Sequence, residues 1–114
     1  MITVFGIRNC ETMKKAFAWL DANAVAYEFS DYRQPGLAAA HLPDWNRSAG
    51  WQALLNTRGL TWRRLAVDER VAVDETKALQ LMAAHPTLIR RPLLAVGSCL
   101  LVGFSPESYA RLLE

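Results

Sequence analysis

Cysteine is scarce in this 114-residue chain, which contains only Cys10 and Cys99. Two cysteines so far apart do not make the framework of paired cysteines that staples small secreted domains. The chain starts directly on a strand-like run, Ile2-Thr3-Val4-Phe5, without the layout of a secretion signal. We therefore expect a cytoplasmic protein in which both cysteines are free thiols.

Histidine, excess charge and long apolar runs are also lacking. His41 and His85 have no metal-ligand spacing to each other or to Cys10, so no metal site is predicted. The net charge of +2 is too small to predict nucleic-acid binding, and no apolar run could span a membrane. A hydrophobic fraction of 52% and a charged fraction of 21% are typical of a globular protein. We expect one domain, a monomer, with no tightly bound cofactor and no nucleic-acid or membrane partner.

The first thirty residues predict a strand, a helix and a second strand. Ile2–Phe5 is apolar and ends at Gly6, and Val25–Phe29 is the second strand-like run. Between them Asn9 could cap a helix and Asn23 could end it. The helix has an apolar stripe formed by Met13, Ala16, Phe17, Leu20 and Ala24. Two strands joined by such a helix should be parallel.

Residues 32–87 predict a helical subdomain. Leu37–Arg47 has helical composition, and Pro43 either kinks that helix or starts a new one. Asp74 can cap a later helix that ends at Pro86. The inner face of that later helix is predicted to be Ala78, Leu81, Met82 and His85.

The end of the chain predicts a hairpin and a closing helix. Leu93–Val96 and Cys99–Val102 are apolar arms around a Gly97-Ser98 turn, so both faces should be covered and Cys99 should be core. Ser105-Pro106-Glu107 is a strong helix start. The whole order resembles the thioredoxin-like α/β plan. It predicts a core at residues 1–31 and 88–114 with a four-stranded mixed sheet, and a helical insert at residues 32–87.

Cys10 is the residue on which the functional prediction depends. It stands where the first strand passes into the first helix, and a helix start offers unpaired N–H groups and a positive dipole end that stabilise a thiolate. Lys14, one turn further on, and Arg8, just before, add positive charge. The alternative is an inert buried cysteine beside lysines on a solvated helix face. The junction and the cations favour a reactive thiol.

Four segments resemble the arsenate-reductase (ArsC) family. They are Gly6–Ala16, Leu54–Gly59, His85–Pro92 and Val102–Phe104, and the nearest branch is the YffB-type thiol reductases, with Spx-type regulators as cousins. The resemblance implies a thioredoxin-like fold with an inserted helical subdomain. It also implies that Cys10 is the catalytic cysteine, that Arg91 faces it, and that the Arg91–Pro92 bond is cis. Arg90, by alternation along an extended segment, should be exposed.

Three positions depart from the patterns of this family. The arsenate reductases carry a histidine and an arginine where this chain has Gly6 and Lys14, and Arg58 could only partly replace the arginines that line their site. A lysine binds an oxyanion less specifically than a bidentate arginine. The Spx-type switch needs a second cysteine where this chain has Met13. These departures argue against arsenate reduction and against an intramolecular disulfide.

The leading interpretation is a monothiol reductase that uses glutathione as its co-substrate. Cys10 attacks the sulfur of a small-molecule or protein disulfide, and an outside thiol resolves the intermediate. Arg91 acts with Cys10, and the substrate or anion is held by Lys14, Arg8, Arg58 and Pro92. Two alternatives stay open: an arsenate reductase proper, and an Spx-like regulator that binds RNA polymerase and performs no chemistry.

Overall fold

The computed structural model describes residues 1–113. The strands are β1 (Ile2–Gly6), β2 (Glu28–Asp31), β3 (Leu93–Val96) and β4 (Cys99–Val102). The helices are α1 (Glu11–Ala22), α2 (Leu37–Ala49), α3 (Trp51–Leu54), α4 (Leu60–Arg64), α5 (Val67–Arg70), α6 (Glu75–Ala84) and α7 (Pro106–Leu113), with a short 3-10 helix at Pro86–Leu88. The chain divides into two compact units: an α/β unit formed by Met1–Tyr32 and the residues from Arg91 onward, and a helical unit, Arg33–Arg90.

The α/β unit is built on one four-stranded sheet with strand order β2-β1-β3-β4. Strands β1 and β2 are parallel, whereas β1 with β3 and β3 with β4 are antiparallel. The predicted α/β class with a mixed four-stranded sheet is therefore confirmed. The register pairs Gly6 with Asp31 and Phe5 with Leu93. The carboxyl ends of β1 and β2 and the beginning of β3 thus lie together at the same end of the sheet, where these strand ends meet.

Helix α1 is anchored to this sheet by its apolar stripe. Met13, Ala16 and Leu20 are fully buried and pack with Val4 of β1 and Leu94 of β3. Burying a side chain of this size stabilises a fold by about 1.5–3 kcal/mol. The stripe therefore holds the first turn of α1 in place over the edge where β1 ends.

The bounds of α1 and β2 differ from the predicted ones. The helix is capped by Cys10 and not by Asn9. At its other end Asn23 keeps a negative φ of −98°, and the left-handed residue is Ala24, with φ 53°. The Asn23 side chain instead donates to the Trp19 carbonyl oxygen at 2.9 Å. Because this turn takes up more chain, β2 begins at Glu28, three residues later than the sequence pattern indicated.

The C-terminal hairpin has the predicted turn, but its second arm is not buried. Val96 pairs with Cys99 across a two-residue turn whose glycine, Gly97, has φ 59°. Strand β4 lies at the edge of the sheet, and its first residue, Cys99, is exposed. The expectation that Cys99 is core was therefore wrong, because an apolar run does not show whether a strand is central or at the edge.

The helical unit keeps most of the predicted features. Lys77 N–H donates to the Asp74 side chain at 2.9 Å, which confirms Asp74 as the cap of α6. Pro43 lies inside α2 without ending it. His85 is exposed at the end of α6, so its prediction as an inward-facing residue was wrong. Helices α4 and α5, of five and four residues, were too short to show a period in the sequence. No helix in the described part of either unit is long and apolar enough to cross a bilayer.

Helix α7 begins as predicted and brings a buried tyrosine into the core. The Ser105 hydroxyl accepts from the Ser108 N–H at 3.1 Å, so Ser105 caps the helix. Tyr109 is fully buried, with edge-to-face contacts to Trp19 and Phe104 at ring distances of 5.7 and 4.7 Å. Its hydroxyl has no hydrogen-bond partner among residues 1–113. Burial without a partner is costly for a hydroxyl.

We expect Tyr109→Phe to raise the free energy of unfolding by about 1 kcal/mol, because it removes the unpaired hydroxyl and keeps both ring contacts. Urea denaturation followed by tryptophan fluorescence measures the change. A loss of stability of similar size would show instead that the hydroxyl is well bonded in solution.

Candidate active site

Three segments of the α/β unit meet where the site lies. The loop after β1 leads to Cys10, Tyr32 directly follows β2, and Arg91 and Pro92 directly precede β3. The Tyr32 N–H donates to the Gly6 carbonyl oxygen at 3.2 Å. The Pro92 carbonyl oxygen accepts from Gly103 N–H at 2.8 Å, and the Pro92 side chain is fully buried. These bonds fix the backbone around the cysteine.

Cys10 occupies the N-cap position of α1. Its backbone is extended, with φ −146° and ψ 135°, and the residue is partly exposed. Serine, threonine, asparagine or aspartate usually fills this position, and its side-chain oxygen accepts a backbone N–H from the first turn. Here the side chain is a thiol at the positive end of the helix dipole, and it forms no capping hydrogen bond of that geometry.

The surroundings of Cys10 favour the thiolate. Burial by itself raises the pKa of the Cys10 thiol, but the backbone N–H groups of Met13 and Thr12 and the hydrogen bond and charge of Arg91 lower it. The net result is a pKa below the ordinary value of a cysteine. A thiolate is the nucleophilic form of cysteine, so at a given pH Cys10 is more often in the nucleophilic form than an ordinary cysteine.

Arg91 is the cation that faces the sulfur. Its guanidinium hydrogen-bonds Cys10, and its Nη1 donates to the Tyr32 hydroxyl at 2.8 Å. The Arg91–Pro92 bond is cis, as predicted, and Arg90 is exposed, as predicted. Although burial lowers the pKa of Arg91, its contacts with Tyr32 and Cys10 raise it above the ordinary value. The guanidinium therefore stays charged beside the thiolate.

Tyr32 is the functional-site residue that the sequence analysis missed. It is fully buried and belongs to the same hydrogen-bonded group as Arg91 and Cys10. Burial raises the pKa of Tyr32, although the charge of Arg91 lowers it, so its phenol stays neutral. One signal was present: in parallel strands, the residue after the second strand lies at the edge where the first strand ends.

Arg8 and Lys14 each contact another side chain of the α/β unit. The Arg8 guanidinium lies over the ring of Phe29, with its central carbon 4.4 Å from the ring centroid. The Lys14 ammonium is 3.9 Å from the carboxylate of Glu11, and both side chains are exposed. The positive charge that lowers the pKa of Cys10 comes from Arg91. Glu11 lies three residues before Lys14, so the two side chains are neighbours on the helix surface.

Arg58 belongs to the helical unit, and the structure assigns it a local role only. It lies exposed in the turn between α3 and α4, where its backbone N–H donates to the Asn56 side chain at 3.0 Å. Its carbonyl oxygen accepts from the Arg63 guanidinium at 3.4 Å. Its predicted contact with an anionic substrate stays a prediction.

Gly6 and Met13, two positions that depart from the family patterns, touch each other. A Cβ atom on Gly6 would lie 2.5 Å from the Met13 Sδ and 2.7 Å from its Cε, closer than real contacts allow. Met13 is fully buried, so its side chain has no solvent into which to move. A side chain at position 6 would therefore require the flexible end of the Met13 side chain to shift.

The described residues hold no group of three histidine, cysteine, aspartate or glutamate side chains that could bind a metal. What the site can do chemically is nucleophilic attack by a thiolate beside a fixed guanidinium. Such a pair can attack an electrophilic sulfur, or an anionic electrophile that the guanidinium would hold.

Comparison with known proteins agrees with this geometry. A model described as the ArsC family matches residues 5–112. The solved structure of a YffB protein is 45% identical, with a TM-score of 0.94 over 100% of both chains. An uncharacterised protein of Haemophilus influenzae is 40% identical over 96% of each chain. The global transcriptional regulator Spx of Streptococcus agalactiae is 29% identical over 94% of this chain and 79% of its own. The expected thioredoxin-like fold is thus confirmed.

Proposed function

The chain belongs to the ArsC family, and on that premise we propose that it is a glutathione-dependent thiol–disulfide reductase that works through one cysteine, Cys10. The observation that carries this proposal is the Cys10 thiol at the cap of α1 with the Arg91 guanidinium hydrogen-bonded to its sulfur. That arrangement activates a nucleophile, whereas a purely structural cysteine needs no cation beside its sulfur. We place the reaction in the cytoplasm, where glutathione is abundant and thiols stay reduced.

The first step is attack on the disulfide substrate. The Cys10 thiolate forms a bond to one sulfur of the substrate disulfide, the substrate S–S bond breaks, and the other sulfur leaves as a thiolate. The substrate disulfide is reduced, and Cys10 is oxidised to a mixed disulfide. Arg91 stabilises the thiolate before attack and can stabilise the negative charge that spreads over the three sulfurs during it.

The second step regenerates Cys10. The thiolate of glutathione attacks the substrate sulfur held on Cys10 and forms a bond to it, the Cys10–sulfur bond breaks, and Cys10 leaves as a thiolate. The product is a mixed disulfide of glutathione with that half of the substrate. Because the pKa of Cys10 is lowered, it is a good leaving group in this step. An outside thiol is needed because position 13, one turn after Cys10, is a buried methionine. The contacts of Lys14, Arg8 and Pro92 with an anionic substrate or glutathione stay predictions.

The proposal predicts that one glutathione adds to Cys10 when the reduced protein meets oxidised glutathione near pH 7. Cys10 lies at a helix start beside a cation, whereas the exposed Cys99 begins an edge strand, so Cys10 should react much faster. Peptide mass spectrometry over a time course measures both sites in one sample. Comparable rates at Cys10 and Cys99 would mean that exposure alone governs reactivity and would contradict the proposal.

A second candidate function is favoured by the similarity to the transcriptional regulators named Spx. A regulator of that kind would act by binding another protein and would not need an activated thiol. The lowered pKa of Cys10 and the contact of Arg91 with its sulfur argue for chemistry. The time course separates the two candidates, because a binding protein without chemistry gains nothing from preferential reaction at Cys10.

A further inference from the structure

We propose that Tyr32 is a positioning residue whose buried hydroxyl holds the Arg91 guanidinium against the Cys10 sulfur. The inference rests on the function proposed above. It adds a residue that does not itself touch the substrate but sets the geometry of the group that does. A chain of contacts runs from the end of β2, through Arg91, to the N-cap of α1.

The Tyr32 hydroxyl limits the rotamers that the Arg91 side chain can adopt. An arginine side chain has many rotamers, and fixing one costs up to about 2 kcal/mol of conformational entropy. Its planar fork can donate to two acceptors at once only in a fixed direction. Here one branch donates to the Tyr32 hydroxyl at 2.8 Å, and the guanidinium also hydrogen-bonds the Cys10 sulfur. A fixed second acceptor therefore selects the rotamer that faces the sulfur.

The Tyr32 hydroxyl is itself held in a fixed position. The Tyr32 side chain is fully buried and has only two rotatable angles, and its backbone N–H is bonded to the Gly6 carbonyl oxygen at 3.2 Å. The hydroxyl is thus tied to the end of β1, from which the loop to Cys10 departs. The end of β1 therefore helps to position both the Tyr32 hydroxyl and the Cys10 sulfur.

An uncharged acceptor leaves the positive charge of Arg91 intact. A carboxylate in place of the hydroxyl would also orient the arginine, but it would form an ion pair and neutralise the guanidinium. Burial raises the pKa of Tyr32, and Asp31 beside it acts in the same direction, so the hydroxyl stays neutral although Arg91 opposes this. The positive charge of Arg91 is then left for the thiolate. Glu11 and Lys14 on α1 are exposed and 3.9 Å apart, and the Arg8 guanidinium lies over the ring of Phe29.

The test is Tyr32→Phe, measured by the pH dependence of iodoacetamide alkylation at Cys10. The phenyl ring keeps the packing and removes only the acceptor. We expect the midpoint of the alkylation profile to move to higher pH and the rate of mixed-disulfide formation at pH 7 to fall about three- to tenfold. Tyr109→Phe is the matched control, because it also removes the hydroxyl of a fully buried tyrosine in the same unit. It should leave the Cys10 profile unchanged.

A double-mutant cycle with Arg91→Ala shows whether Tyr32 acts through the arginine. Without the guanidinium, Tyr32→Phe should change neither the midpoint nor the rate further. An unchanged profile in the single variant, or an equal shift with and without Arg91, would overturn the positioning role. A profile unchanged by Arg91→Ala itself would also reject the activation of Cys10 on which the proposed function depends. If Tyr32→Phe folds poorly, Arg91→Lys replaces it in the test. A lysine keeps the positive charge but lacks the planar guanidinium that donates to two acceptors. Arg91→Lys should therefore show most of the pKa shift and loss of rate seen in Arg91→Ala.

Discussion

Replacing Cys10 by serine is expected to reduce disulfide-reductase turnover to the uncatalysed level. A hydroxyl cannot form the mixed disulfide, so no protein-bound intermediate is available in either half of the reaction. The measurement is the glutathione-dependent reduction of a small disulfide, such as the mixed disulfide of hydroxyethanethiol and glutathione, followed through the oxidised glutathione that forms.

The fold gives this experiment a clean control for stability. Serine is among the preferred residues at a helix N-cap, where its oxygen accepts the backbone N–H groups that face the Cys10 sulfur. Cys10→Ser should therefore keep α1 folded. Cys99→Ser removes the exposed thiol at the sheet edge and should retain turnover within about twofold. Turnover that survives Cys10→Ser, or disappears in Cys99→Ser, would contradict the proposed mechanism.

The lowered pKa of Cys10 also gives stability a pH dependence with a definite sign. The folded chain binds the thiol proton less tightly than the unfolded chain does. The resulting stabilisation is fully present above the pKa of the unfolded cysteine, and it is lost as the pH falls through the lower pKa of the folded one. Cys10→Ser should remove this dependence and leave the other pH effects in place.

The fold could be predicted well because its signals are local and periodic. Of the predicted stripe, Met13, Ala16 and Leu20 are buried and Phe17 is partly buried, whereas Ala24 is exposed and lies beyond the end of α1. The glycine-first turn at Gly97 and the capped start at Ser105 are short signals, each produced by a few adjacent residues. The wrong predictions concern residues whose burial depends on where an element lies in the tertiary structure. Cys99 is exposed because β4 is an edge strand, and a single apolar run carries no information about strand order.

The site could be predicted only in part, for a related reason. Cys10 is identified by its place in the chain, at a strand-to-helix junction, and Arg91 by the family resemblance. Tyr32 joins them through a contact that spans 59 residues of sequence. Arg8 and Lys14 are close to Cys10 in sequence, but Phe29 and Glu11 provide them with other partners. Their predicted contacts with an anionic substrate stay predictions.

Arg91→Ala is expected to slow mixed-disulfide formation at pH 7 on the order of ten- to a hundredfold, the range that a hydrogen bond to a charged group can supply. The change removes both the hydrogen bond to the Cys10 sulfur and the nearby positive charge, so the pKa of Cys10 rises toward its ordinary value and less thiolate is present. The alkylation profile of Cys10 should move to higher pH in parallel. At a pH above ~8.5, the pKa of a free thiol, the variant should recover most of the lost rate, because its cysteine is then ionised without help.

Arg90→Ala is the matched control for this prediction. Arg90 is the neighbouring arginine, its side chain is exposed, and its backbone N–H donates to the Leu54 carbonyl oxygen at 2.8 Å, a bond that alanine keeps. It removes the same charge from the protein as a whole, so an unchanged Cys10 profile in Arg90→Ala would show that the effect of Arg91 is local. Equal shifts in both variants would mean that the net charge of the protein, and not the guanidinium beside the sulfur, sets the reactivity of Cys10. In that case the assignment of Arg91 to the active site would be wrong.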